Sequence, residues 1–138
     1  MAYVFALERT LTQIDYVRLR SMLLRHSSQS PHGGALHELL DLSDLVASPA
    51  VPPDVVTMHS RVQLLDESTG TRSTITLCYP ADASPASGAV SVLAPLGTAL
   101  LGLRVGDVAR WRGPAGEPHA ARVEQMLYQP EATGDYTR

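Results

Sequence analysis

The chain has 138 residues, 44% of them hydrophobic, and a formal net charge of −3 at pH 7, which suits one modest core and argues against a basic nucleic-acid-binding footprint. Cys78 is its single cysteine, so an internal disulfide framework and a cysteine-based zinc site within one chain are excluded. No segment approaches the roughly 18 consecutive apolar residues of a membrane span, and the opening M-A-Y-V-F-A-L-E-R-T lacks the basic and apolar regions of a signal peptide, so a cytoplasmic protein is expected.

The first third reads as two amphipathic helices. Thr10-Leu11-Thr12-Gln13 offers a capping box with Thr10 as N-cap, and Thr12 with Asp15 offers another, leaving the start open by two residues. Beyond it Tyr16, Leu19, Leu23 and Leu24 share one face, with Asp15, Arg18, Met22 and Arg25 on the other. Ser27 to Gly34 (S-S-Q-S-P-H-G-G) breaks the pattern. A second run places Leu36, Leu39, Leu40, Ser43 and Val46 on one face, opposite His37, Glu38, Asp41 and Asp44. The pair predicts an antiparallel hairpin of helices of about 13–15 residues, about 20 Å long. Two outcomes stay open: a projecting arm, or helices packed on a sheet, with Leu42 and Leu45 supplying a second contact. His26, His32 and His37 are six and five residues apart, which does not align ligands on one helix face, so no metal site is expected.

Three prolines within Ala47 to Pro53 mark a boundary, dividing the chain into residues 1–53 and 54–138. Past it the period changes to two. Val55 to Met58 and Arg61 to Leu65 read as extended, Asp66 to Gly70 as a turn, and Thr71 to Tyr79 as a strand with Ile75, Leu77 and Tyr79 on one face. Pro80 to Gly88 is a loop. Val90 to Asp107 then compresses a short strand, a small helix and two glycine stops into eighteen residues. Pro95 suits the first helical position, Gly102 a left-handed stop, and Asp107 a brace for the turn at Gly106. Val108 to Trp111 and His119 to Tyr128 complete the strands, with Ala121, Val123 and Leu127 facing inward and Trp111 either burying its ring in the sheet or capping the small helix. The fold class is α+β: a short N-terminal helical hairpin, then a four- or five-stranded, mostly antiparallel sheet wrapped on one short helix. Cys78, on a strand among threonines, reads as structural. No catalytic triad or Gly-rich phosphate loop is present, so a binding module is favoured over an enzyme.

The stretch A-P-L-G-T-A-L-L-G-L-R-V-G-D, Ala94 to Asp107, resembles the signature of the C-terminal domain of Gre-type transcript-cleavage factors. Pro95, Gly97, Ala99, Leu100, Leu101, Gly102, Gly106 and Asp107 match it, and Ala94 stands where serine is usual. D-V-V-T-M-H-S-R-V (Asp54 to Val62), L-C-Y-P (Leu77 to Pro80) and Y-Q-P-E-A-T-G-D-Y (Tyr128 to Tyr136) extend the resemblance, from about Pro53 to Tyr136, to the regulator of nucleoside diphosphate kinase family. The resemblance implies an FKBP-like β domain with an N-terminal helical arm. It implies docking at the rim of RNA polymerase's secondary channel, in competition with Gre factors, through Ala94, Pro95, Leu96 and Gly97 with flanking Arg104. Gre factors deliver acids from a long arm's tip to the catalytic magnesium. The tip here has no Asp or Glu and the arm is short, so transcript cleavage is not expected. An adaptor acting directly on nucleoside diphosphate kinase is the alternative. A peptidyl-prolyl isomerase is a minor one, disfavoured by a single Phe and a single Trp. No cofactor, metal, membrane or sequence-specific nucleic-acid partner is expected.

Overall fold

The computed structural model describes residues 9–26 and 33–134. The expected tip at 27–32, with His32, the tail from 135, and the side chain of His26 lie outside the described residues. Strand β1 (Thr10–Thr12) leads into helix α1 (Gln13–His26), followed by α2 (Gly33–Leu42) and β2 (Asp44–Val46). Of the two caps that the sequence offers, Thr12 is used: its Oγ1 accepts the Asp15 N–H at 3.0 Å. Thr10 is instead part of β1, which pairs in parallel with β2 in the register Thr10↔Asp44. The second helix therefore ends at Leu42, four residues short of the expected Val46. Ser43 donates its hydroxyl to the Leu39 carbonyl at 2.6 Å and Asp44 donates its N–H to Arg9. The free edge of β1 competes successfully for residues that helical periodicity alone assigned to α2.

The buried face of α1 is rotated from the expected one. Asp15 (5% exposed), Leu19, Met22 and Leu23 face the interior, while Val17 (61%) and Leu24 (78%) face out. Asp15 sets this rotation, because its carboxylate accepts the Met58 N–H at 3.1 Å from 43 residues away. In α2, Leu36, Leu39 and Leu40 are fully buried, whereas Leu42 is exposed, as is Leu45 beyond it. A helix of ten residues is marginal alone, and these leucines, each worth roughly 1.5–3 kcal/mol when buried, hold it in place. Arg20 joins the two helices. It donates to Asp41 and to the Tyr16 hydroxyl, each at 2.7 Å, and lies 3.0 Å from His37 Nδ1.

The sheet has five strands: β3 (Arg61–Asp66), β4 (Thr71–Cys78), β5 (Ala89–Ser91), β6 (Val108–Arg112) and β7 (Pro118–Tyr128), in the order β5-β4-β3-β7-β6. Helix α3 (Pro95–Leu100) lies between β5 and β6 in the chain. Pairing is antiparallel except between β4 and β5. In the β3–β4 turn, Asp66 accepts the Ser68 N–H on its carboxylate and the Gly70 N–H on its carbonyl. Val55–Met58 is not a ladder strand, as the alternating reading expected. Val55 forms an isolated bridge with Arg104, and the chain then turns through His59 at φ 69°. Along β7 the register against β3 slips twice. The slip between Val123 and Gln125 puts Met126 rather than Leu127 (42% exposed) against the core, because one extra residue reverses the in–out alternation. Leu19, Leu23, Leu36, Leu39 and Leu40 of the helices share one buried cluster with Val62, Leu64, Leu77, Leu100, Leu101 and Val123. The helices thus pack on the β layer. Among the described residues no helix is long and apolar enough to cross a membrane.

Burial pushes the Asp15 carboxyl up to about 6, with the nearby Glu131 charge adding to it, against hydrogen bonds from Met58 and Thr12 that favour the ionised form. The folded chain therefore binds this proton more tightly than the unfolded chain. The Asp15 contribution to stability should be fullest below about pH 4 and fall as pH rises through 6, by about 3 kcal/mol. Asp15→Asn, which keeps an acceptor for the Met58 N–H, should flatten that slope in urea unfolding between pH 4 and 7 and raise stability at neutral pH. Parallel slopes in the variant and the parent would show that Asp15 is not the responsible group.

Candidate functional site

The small helix α3 is set by local chemistry at both ends. Ala94 is its N-cap in extended conformation (φ −68°, ψ 151°), without a side-chain acceptor, and Pro95 occupies the first helical position. Thr98 donates its hydroxyl to the Val92 carbonyl at 2.6 Å, fastening the helix to the strand that precedes it. At the other end Gly102 stops the helix at φ 83°, where a Cβ would also press on Arg9 and Thr10. The Arg9 guanidinium reaches back to the carbonyls of Ala99 (3.1 Å) and Leu101 (2.9 Å). A cation on the last carbonyls of a helix is favoured by their partial negative charge. Burial lowers the Arg9 pKa to about 10, against the Asp107 charge, and at that value the guanidinium stays charged at neutral pH.

Of the five residues singled out from the sequence, four form this corner. Ala94, Pro95 and Leu96 are half-buried and make a continuous shoulder, whereas Gly97 is buried beneath it. A Cβ on Gly97 would stand 2.0 Å from the Ser91 carbonyl oxygen and 3.0 Å from the Val92 Cα. Glycine is required there for backbone-to-backbone contact between α3 and β5, so Gly97 builds the shoulder without presenting a surface. Arg104 sits apart. Its N–H donates to the Asp107 carboxylate at 2.9 Å and its guanidinium lies 3.9 Å from Asp54. Asp107 and Gly106 (φ 100°) therefore brace the turn as their spacing suggested.

Cys78 is buried and its thiol is pushed up by that burial, with its Sγ 3.5 Å from the Val90 carbonyl oxygen. Among the described residues no group of three His, Cys, Asp or Glu side chains is placed to hold a metal ion. Trp111 is half-buried, and its ring stacks on His119 across the β6–β7 hairpin, with centroids 5.5 Å apart at 18°. The stack on His119 is absent from the sequence reading, which offered a ring buried in the sheet or capping the small helix. The G-P-A-G-E turn, by making Trp111 and His119 register partners, carried the signal. Beside that stack opens a groove of about 890 Å³, floored by Ala121 and edged by Asp107, Arg110, Arg112 and Glu67. Its charges are mixed. A second groove, of about 430 Å³, runs between α1 and the corner after β4.

The model of the family described as transcription elongation factor, GreA/GreB, C-term, matches residues 51–128. The regulator of nucleoside diphosphate kinase of Escherichia coli (strain K12) is 44% identical over 106 residues, covering 77% of this chain and 78% of that protein. A transcription elongation factor GreA of Desulfovibrio desulfuricans is 35% identical over 82 residues, 59% of this chain and 47% of that one. Among solved structures, a transcription elongation factor GreA/GreB from Nitrosomonas europaea superposes with a TM-score of 0.75 at 34% identity, covering 88% of this chain and 100% of that chain.

The geometry at Gly97 predicts an asymmetry within the shoulder. Gly97→Ala should lose about 2 kcal/mol or more, since the added carbon meets backbone on both sides and nothing flexible can yield. Pro95→Ala, at a position where the missing N–H is harmless, should stay within about 1 kcal/mol of the parent. Chemical denaturation of the two variants checks this, and equal stabilities would show that α3 does not rest on β5 as described.

Proposed function

This chain belongs to the family of the GreA/GreB transcription elongation factor C-terminal domain, alongside the regulators of nucleoside diphosphate kinase, and on that premise we propose that it docks on RNA polymerase at the secondary-channel rim and competes there with Gre cleavage factors. It is a regulator of the transcription-elongation-factor type, and its relatives are named as regulators and transcription factors rather than catalysts. The observation that carries the proposal is the shoulder Ala94–Leu96. It is half-exposed, held rigidly by the Gly97 and Thr98 contacts with residues 91–92, and needs no exposed side chain there for its own stability. A surface fixed this way loses little freedom on binding, which favours docking. Arg104, beside Asp54, supplies a flanking cation to the same partner.

The proposed docking is without transcript cleavage. The expected tip, S-S-Q-S-P-H-G-G, offers no carboxylate to a magnesium ion, a hard cation that takes oxygen ligands. Occupying the rim without delivering that chemistry would make the chain a competitor of the cleavage factors.

The test uses a substitution that strengthens the fold while altering the surface. Ala94→Asp supplies the N-cap acceptor that the helix lacks and should raise the unfolding temperature. It also places a charge in the shoulder and should weaken binding to core RNA polymerase about tenfold in a titration. A Gre factor should displace the parent protein. Failure of polymerase to retain the parent chain, or full binding by Ala94→Asp, would sink the proposal. Retention on nucleoside diphosphate kinase instead of polymerase would move the partner to that enzyme.

A further inference from the structure

The two edges of the five-stranded sheet are treated differently. At one edge β5 is covered by the loop before it, where Ser84 and Ala89 exchange backbone hydrogen bonds of 2.9 and 3.0 Å. At the other edge β6 pairs with β7, and among the described residues nothing pairs with its far side. The bonds to β7 fall at odd-numbered residues of this strand. Val123 donates its N–H to the Asp107 carbonyl and Gly113 donates to Glu117, each at 2.9 Å, and bonded pairs in an antiparallel ladder recur at every second residue. Pro118, which has no N–H to give, faces Arg112 at an even position, in keeping with that phase. The N–H and C=O groups of Val108, Arg110 and Arg112 therefore point away from the sheet. The side chains of Arg110 and Arg112 share one face, both exposed, about 7 Å apart along the strand. Neither has an ion pair among the described residues: Glu67 is taken by Arg122 and Glu117 by His119, while Arg112 donates to the Gly116 carbonyl. The opposite face of the strand carries buried Ala109 and half-buried Trp111, and the groove of about 890 Å³ runs beside it.

We propose that the free edge of β6 accepts an extended segment of a partner protein as an added strand, with carboxylates at alternate positions against Arg110 and Arg112 and apolar side chains between them, beside Trp111. The outward backbone groups supply an affinity common to any strand, and the arginines select among strands. Charged side chains on an open edge guard a sheet against indiscriminate pairing. A strand bearing acids turns that guard into a contact, since opposite charges on directly opposed residues stabilise a strand pair. A second copy of this chain lacks the complement, because two β6 edges would set arginine against arginine. A nucleic-acid strand has no ladder of alternating donors and acceptors to match the edge. The site shares no residue with the shoulder Ala94–Leu96, so it stands or falls separately from docking on the polymerase.

The probes are three short synthetic peptides: alternating valine and glutamate, the same with lysine for glutamate, and the glutamate peptide with its backbone nitrogens methylated. Each is titrated into the isotope-labelled full chain, and amide hydrogen exchange is followed along β6. The glutamate peptide should saturate and slow exchange at Val108, Arg110 and Arg112 at least tenfold, leaving Ala109 and Trp111, already bonded to β7, unchanged. The lysine peptide should fail for want of charge complementarity, and the methylated one for want of donors. Arg110→Glu should weaken the glutamate peptide about tenfold and admit the lysine peptide, with the unfolding temperature unchanged. Ala94→Asp should leave peptide binding intact. Equal binding of all three peptides, or protection without the alternation, would overturn the assignment. So would slow exchange at Arg110 and Arg112 in the chain alone, which would mean that the edge is already covered by the chain itself or by a second copy.

Discussion

The backbone-to-backbone contact between α3 and β5 is the constraint from which the rest of the arrangement follows. Because Gly97 has no side chain, the helix settles directly on Ser91 and Val92, and Thr98 can reach the Val92 carbonyl. That depth brings Leu100, Leu101 and Leu103 into the core and carries the carbonyl end of the helix to Arg9. Arg9 is followed immediately by β1, whose Thr10 N–H donates to the Gly102 carbonyl at 3.2 Å. The N-terminal helices are therefore anchored to the far end of the same short helix whose near end forms the exposed shoulder. Six residues of helix serve as the joint between two parts of the chain that lie about ninety positions apart.

A second junction is polar and buried. Asp15 at the start of α1 accepts the Met58 N–H. The Thr57 hydroxyl donates to Glu131 at 2.7 Å, and the Thr57 N–H donates to the Ser60 hydroxyl. Gln129 donates its side-chain amide to the carbonyls of Pro52 and Val55. The T-M-H-S and Y-Q-P-E stretches thus meet through Thr57 and Glu131, with His59 of the first stretch at positive φ. Burying the Asp15 carboxyl is costly, and the hydrogen bond from the Met58 backbone N–H helps make that burial tolerable. Hydrophobic packing alone would permit α1 to slide or rotate against the sheet. The directional bond from Met58 removes that freedom.

These two junctions leave opposite kinds of surface. The shoulder at Ala94–Leu96 is small, rigid and set close to the sheet. The outward side of α1 is a longer aliphatic stripe with a cationic edge, exposed because the rotation set by Asp15 turned Leu24 away from the core. One buried hydrogen bond thereby decides which leucine supports the fold and which is left exposed.

The strand–helix–turn around α3 was legible in the sequence because every device in it acts within four residues: Pro95 at the first turn, Gly102 at the stop, Asp107 bracing Gly106. The β3–β4 hairpin was legible for the same reason, through alternation and the turn chemistry at Asp66–Gly70. What the sequence could not disclose depended on contacts between residues far apart. Periodicity showed that α1 is amphipathic, but Met58, 43 positions away, chose its buried face. Asp44–Val46 has the pattern of a helix end and became a strand because β1 offered an edge. The register slip of β7 between Val123 and Gln125 reversed the expected roles of Met126 and Leu127. Gly97 matched a signature as one residue among several, and only the fold showed that it serves an approach too close for a Cβ. Local propensity reaches one helical turn; rotation, register and close approach are decided by which distant backbone groups must find partners, and that is a property of the assembled chain.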